Sequence, residues 1–294
     1  MRVFVTGSSG FVGSAIVEDL IRAGHTVLGL ARNDVAANAV TRMGAEAHRG
    51  GLSDLESLAA GARICDGVIH TAYNHDFSQF VAAGETDRRA VEALGAELVG
   101  TGRPLVITSA IGLLAPGEHT TEDDTGDPKS PGAVRIPSEE KALGLASEGV
   151  RSSIIRLPIM VHDRTKQGLA TRLIALAQQT GVSAYVGDGV NRWPAVHRLD
   201  AAYLYRLALE NGVAGGRYHA VAEDSIQLRE IAEVIGRILN VPVTAISPMK
   251  ASEHFGFLAY FVSSDFRSSS AHTKETLGWN PVHPGVIADL EPTD

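Results

Sequence analysis

At 294 residues and a net charge of −8, the chain is long enough for one large domain or a domain with a lobe, and its surplus of acid argues against a nucleic-acid surface or an anionic membrane as partner. A single cysteine, Cys65, excludes an internal disulfide and fits a reducing compartment. No CxxC or HExxH spacing points to a metal, and the longest apolar runs, such as "GFLAYFV", are far too short for a bilayer span. The first strand begins at once in "MRVFVTG" with no signal peptide, so a cytoplasmic location is expected.

In chain order, "RVFVTG" is a strand ending in glycine, and "FVGSAIVEDLIRAG" follows with apolar residues at helical spacing. "TVLGLA" is a second strand, and "DVAANAVTRMG" a helix opened by an Asp cap and closed by Gly44. "AEAHRG" (polar for a strand), "DGVIHTA", "RPLVITSA" and "VRSSIIRLP" continue as strands three to six, the last entered from a helix carrying Lys141. Such alternation predicts an α/β fold: a doubly wound parallel sheet with right-handed crossovers and both faces covered.

Past Pro158 the rhythm breaks into a helix ("GLATRLIALAQQTG"), a glycine-rich turn ("VGDGVNRWP"), a second helix ("LDAAYLYRLALENG"), a strand ("GRYHAVA") and another helix ("LREIAEVIGRILN"). The expected division is a dinucleotide-binding domain over residues 1–160, with segments near 190–225 returning to it, and a smaller C-terminal substrate lobe over most of 161–294. The acidic loop "GEHTTEDDTGDPKSPGA" is expected to be exposed and mobile.

"TGSSGFVG" sets Gly7, Gly10 and Gly13 between the first strand and its helix. There a tight turn, a close approach to pyrophosphate and close helix–strand packing each require glycine, and the helix N-terminus faces the anion. Ser8, Ser9, Phe11 and Val12 complete this loop. At the end of strand two, "GLARND" presents Arg32, which suits a 2′-phosphate and favours NADP over NAD; Asp34 is the competing acid.

With these residues the sequence resembles the extended or atypical branch of the short-chain dehydrogenases/reductases, the NAD-dependent epimerase/dehydratase type. The resemblance spans nearly the whole chain, through TGxxGxxG, "VIHTA" at 68–72, "VITSA" at 106–110, "IIRLPIMV" at 154–161 and "GDGVNRWPAVHRLDAA" at 187–202. It implies a Rossmann fold with a substrate lobe, and hydride transfer in which a tyrosine is the acid/base, a lysine holds the ribose and a serine or threonine orients the substrate oxygen. It also implies cofactor contacts from Thr71, Ala72, Thr108, Leu157 and Pro158.

Several positions depart from the family pattern. In "RIPSEEKAL", Lys141 matches the lysine, but Pro137 stands where the tyrosine would be. Ser109 is the candidate orienting hydroxyl, with Thr108 and Ala110 as alternative registers. In "RGGLSD", Gly51 replaces the usual acid after strand three, leaving Leu52 for packing. Tyr73, Asn74 and His75, just after strand four, are candidates for a relocated acid and for substrate contact. His162, Arg192 and Trp193 are expected to line the substrate pocket, and His197 to be structural. "HFGFLAYF" (254–261) is expected to be an apolar face serving a dimer interface or a pocket roof.

The expected activity is an NADP-dependent oxidoreductase on a small carbonyl or alcohol. The alternatives are an epimerase, dehydratase or isomerase on the same scaffold, and a non-enzymatic dinucleotide sensor.

Overall fold

The computed structural model describes residues 1–76, 79–165 and 168–291. Its first half alternates β1 (Arg2–Thr6), α1 (Phe11–Arg22), β2 (Thr26–Ala31), α2 (Asp34–Arg42), β3 (Glu46–Arg49), α3 (Leu55–Arg63), β4 (Gly67–His70), α4 (Phe80–Ala96) and β5 (Pro104–Ala110). A short strand β6 (His119–Thr120) precedes α5 (Ile136–Ser147) and β7 (Arg151–Leu157). Then come β8 (Met160–His162), α6 (Leu169–Thr180), β9 (Ser183–Val186), β10 (Arg192–His197), α7 (Arg198–Asn211), β11 (Gly216–His219), β12 (Glu223–Gln227) and α8 (Leu228–Leu239). The chain closes with β13 (Val243–Ile246), α9 (Ala251–Phe255), α10 (Ala259–Ser263), β14 (Arg267–Ser268), α11 (Ala271–Leu277) and α12 (Val286–Leu290).

Seven parallel strands form the main sheet in the order β11-β7-β5-β4-β1-β2-β3. The order reverses between β1 and β4, and in open α/β sheets the crevice at such a switch point holds the ligand. β1 and β4 lie in the middle of the sheet, so their central residues, Val3–Val5 and Val68–Ile69, are fully buried and apolar. β3 is an edge strand with every residue at least partly exposed, which explains its polar sequence. One face packs α1 and α7 through Ile16, Leu20, Leu204 and Tyr205, and the other packs α3, α4 and α5 through Leu58, Val91, Leu94 and Leu145. A third apolar core, around Trp193, Ile231, Ile235 and Phe255, belongs to the lobe.

Four local expectations are corrected. Asn33, not Asp34, caps α2: its Oδ1 accepts from the Ala36 N–H at 2.9 Å. "RWP" is strand rather than turn, opening β10, which pairs with β8 and β12 in a small sheet. The acidic loop is exposed over much of its length, as expected, but is anchored to the body, because the buried Glu122 carboxylate accepts from Thr273 N and Oγ1, and Asp124 O accepts from Arg156 at 2.8 Å. The C-terminal stretch is not confined to the lobe, since Leu277 and Trp279 pack into the core under α1 and α7. Among the described residues no helix is long and apolar enough to cross a membrane.

Candidate active site

The glycine loop is a cradle that side chains would fill. Gly7 has φ +69°, and a Cβ there would stand 2.6 Å from Thr71 Oγ1; a Cβ on Gly13 would stand 2.0 Å from the Gly7 carbonyl oxygen. Gly10 is the exposed N-cap of α1 with no side-chain cap, so the first N–H groups of the helix stay available to an anion. These features fit a pyrophosphate. Ser9 is exposed beside this turn, Phe11 and Val12 are half-buried, and buried Ser8 donates its hydroxyl to Leu30 O at 3.0 Å, fastening the loop to β2. Arg198 donates to Phe11 O at 3.2 Å and pairs with Asp163 at 3.0 Å.

At the outer rim, Arg32 is exposed at the tip of β2. Asp34 is ion-paired with Arg49 at the tip of β3. Leu52, next to the Gly51 that stands in place of the acid, packs against the core containing Leu28 and Leu30.

The residues expected to be catalytic from the sequence lie beyond β4 and β5. Tyr73 is half-buried, its hydroxyl has no hydrogen-bond partner among the described residues, and the Arg135 guanidinium carbon stands 4.2 Å from its ring centroid. Burial raises the Tyr73 phenol above its ordinary pKa, although Arg135 pulls it down. His75 is exposed, with its ring centroid 5.4 Å from that of Tyr73. Loss of water on its flanks, followed by the charges of Arg135 and Arg172, holds its imidazole below the usual value. Asn74 is exposed, and its side-chain oxygen accepts from Asp76 N.

Arg135 is fixed from behind. Its Nη2 donates to Thr108 O at 2.6 Å and lies 3.7 Å from Asp87 Oδ2. Asp87, only 1% exposed, accepts from His70 Nε2 at 3.2 Å, and His70 Nδ1 meets Thr6 Oγ1 at 2.7 Å. Burial alone would raise the Asp87 carboxyl, but Arg135 and the His70 hydrogen bond outweigh it and its pKa falls. Sequence reasoning missed Arg135, Asp87 and His70. The available signal was helix phase: Ser138, Glu139, Ala142 and Leu145 form the buried stripe of α5, and Pro137 sits in its first turn, where a missing N–H costs nothing.

The other expected residues are distributed as follows. Lys141 points elsewhere, with Nζ 3.5 Å from Glu92 Oε1 on α4, because six residues along a helix turn it away from the face that Arg135 occupies. The Ser109 hydroxyl is buried near the end of β5 without a partner among the described residues, whereas Thr108 Oγ1 is engaged with His70 O and the Tyr205 hydroxyl. Thr71 Oγ1 donates to Thr6 O, and the Ala72 N–H donates to Thr6 Oγ1, so both brace the glycine loop from β4. Leu157 ends β7 opposite Ala110 of β5, and Pro158 follows it.

Trp193 does not line a pocket: it is fully buried in the lobe and donates Nε1–H to Phe261 O at 3.0 Å. Arg192 is half-buried on the same strand, its backbone N–H bound to Asp265. His162 is buried at the junction, with Nδ1 2.7 Å from Asp289 Oδ2. In residues 254–261, Phe255 and Leu258 are buried in the lobe core while Phe257 and Tyr260 reach the surface.

His197, Asp200 and His283 are a trio whose potential ligand atoms lie within 4.8 Å of one another. Asp200 already accepts from Val282 N, His283 N and the His283 ring, and the rings of His197 and His283 stack at 4.6 Å, so the trio is knit as a junction.

A glycine cradle between β1 and α1, set where the strand order reverses, defines a dinucleotide-binding Rossmann protein. The sequence model of the NAD dependent epimerase/dehydratase family matches residues 3–221, and the chain belongs to that family and is an NAD(P)-dependent enzyme of its kind. It is 47% identical over 290 residues to an uncharacterized protein of Schizosaccharomyces pombe, covering 99% of this chain and 98% of the other. A Saccharomyces cerevisiae protein, also uncharacterized, is 44% identical over 292 residues, with 99% and 98% covered. Among solved structures, the chain superposes on the dTDP-glucose 4,6-dehydratase DesIV of Streptomyces venezuelae with NAD and TYD bound. That match has a TM-score of 0.78 at 21% identity and covers 99% of this chain and 96% of the other, a likeness of fold.

Proposed function

We propose that the chain is an NADP-dependent oxidoreductase acting on a small carbonyl or alcohol, and that Tyr73 has taken over the role of proton donor. The observation that carries this reading is the Tyr73 hydroxyl: buried, without a hydrogen-bond partner among the described residues, on a ring faced by a fixed guanidinium. Helix α5 supplies no phenol in either register. Pro137 lies four residues before Lys141, and Pro131 four before Arg135, and neither side chain holds a proton.

When bound in the glycine cradle, NADPH supplies the hydride for carbonyl reduction. Tyr73 gives its proton to the substrate oxygen, and Arg135 stabilises the phenolate left behind by facing its ring. Ser109, with a buried hydroxyl free to turn, orients the same oxygen, and His75 is the second choice of donor. Arg32 favours NADP through the 2′-phosphate. That preference suits a cofactor drawn reduced from solution better than one retained through an epimerase cycle.

The test is NADPH consumption against a panel of aldehydes and ketones by the wild type, Tyr73→Phe and His75→Ala. Loss of the true donor lowers kcat by about 10²–10⁴-fold while cofactor affinity holds. If both variants keep near wild-type kcat, Tyr73 and His75 are not the acid. Substrate conversion without net cofactor consumption would instead support the epimerase or dehydratase alternative.

A further inference from the structure

The tips of β2 and β3 carry an arrangement that the cofactor reading has not used. The parallel register sets Leu30 against His48 and Ala31 against Arg49. Arg49 therefore ends its strand beside the residue preceding Arg32, one strand spacing of about 4.8 Å away. Asp34 opens the helix that follows Arg32 and is the acid that could read a 2′-hydroxyl, yet it is paired with Arg49 instead. It is free to do so because Asn33 supplies the cap of α2.

We propose that Arg49 is the second half of a 2′-phosphate clamp shared with Arg32, and that Asp34 is the counter-ion which the phosphate displaces. This rests on the NADP reading and extends it to a residue of β3. Both partners of the present ion pair are largely in water, the Arg49 side chain being 57% exposed and that of Asp34 85%. Such a pair is weakly held, and its carboxylate remains well solvated when released. A phosphate monoester is a dianion with three acceptor oxygens, and it satisfies two guanidinium forks where one carboxylate satisfies one. The rim holds two positive side chains and one negative, a net positive charge that attracts a 2′-phosphate, whereas a 2′-hydroxyl offers the guanidinium forks no charge to pair with. Arg49 and Asp34 are thus specificity residues of opposite sign.

The experiment is calorimetric titration of the full chain with NADPH, NADH and adenosine 2′,5′-bisphosphate, for wild type, Arg32→Ala, Arg49→Gln and Asp34→Asn. Arg49→Gln is expected to weaken NADPH and the bisphosphate by about tenfold while NADH stays within about twofold. Asp34→Asn is expected to strengthen NADPH and leave NADH unchanged, and added salt should narrow every difference. Loss of NADPH affinity in Arg32→Ala but not in Arg49→Gln would overturn the clamp and leave the NADP reading standing. Equal wild-type affinities for the two cofactors would overturn the NADP reading itself. Weakened NADH binding in Asp34→Asn would show that Asp34 reads the 2′-hydroxyl, which overturns both.

Discussion

The Arg135 guanidinium carbon stands 4.2 Å from the centroid of the Tyr73 ring, while Lys141, six residues further on, is paired with Glu92 on α4. A cation over a phenol ring stabilises its ionised form, and Arg135 is the influence that draws the Tyr73 pKa down against burial.

Arg135→Gln is therefore expected to raise that pKa further. In the alcohol-oxidation direction, where the proposed role makes Tyr73 the base, the pH–rate profile should move to the alkaline side, and kcat near neutral pH should fall by roughly tenfold per unit moved. Lys141→Ala, by contrast, should leave the profile in place. Steady-state rates across pH for the two variants decide between these residues.

Glu139 and Arg156 form a buried pair, with Arg156 Nε and Nη2 at 2.9 and 2.8 Å from the carboxylate. Removing one charge strands the other, so Glu139→Gln should destabilise the chain by about 3–5 kcal/mol. The acidic loop should loosen with it, since Asp124 O leans on the same guanidinium. Urea unfolding measures the first effect, and protease sensitivity between residues 117 and 133 the second.

His219 should make stability depend on pH. Burial first, then the charge of Arg156, pushes its imidazole down to about 3. An unfolded histidine titrates near 6.5, so above that pH neither state binds the proton and the contribution is fully present. As pH falls from about 6.5 toward 3, the unfolded chain takes up a proton that the folded chain refuses, and stability drops by up to about 1.4 kcal/mol per unit from this group. Denaturant midpoints for wild type and His219→Gln at pH 7 and pH 5 should show a smaller loss in the variant. An equal loss would assign the acid sensitivity to other groups.

The fold was legible wherever burial is continuous along the chain. β1, β2 and β5 announce themselves as largely apolar runs, and Gly7, Gly10 and Gly13 carry their geometry in their spacing. The site was less legible because its key contacts depend on phase and distance. Counting four residues back from Lys141 reaches only Pro137, whereas the inward stripe of α5 selects Glu139, with Arg135 just ahead of the helix, and a buried glutamate looks in sequence like any surface charge. His162 meets Asp289 across 127 residues, and no local pattern encodes that meeting. Trp193 faces inward only because the lobe, assembled from much later residues, closes over it.

The return of the chain's end to its beginning has a consequence for biosynthesis. β11 covers the outer edge of β7, and Trp279, 1% exposed, anchors to Asp200 O at 3.0 Å beneath α1 and α7. The half that leaves the ribosome first is thus sealed last. Until residues 216–219 arrive, β7 presents an open row of backbone donors and acceptors on which a stray strand can template. A fragment stopped at residue 160 keeps the glycine cradle but lacks both the strand that closes its sheet and the tryptophan that plugs its core, so it should aggregate rather than yield a small cofactor-binding protein.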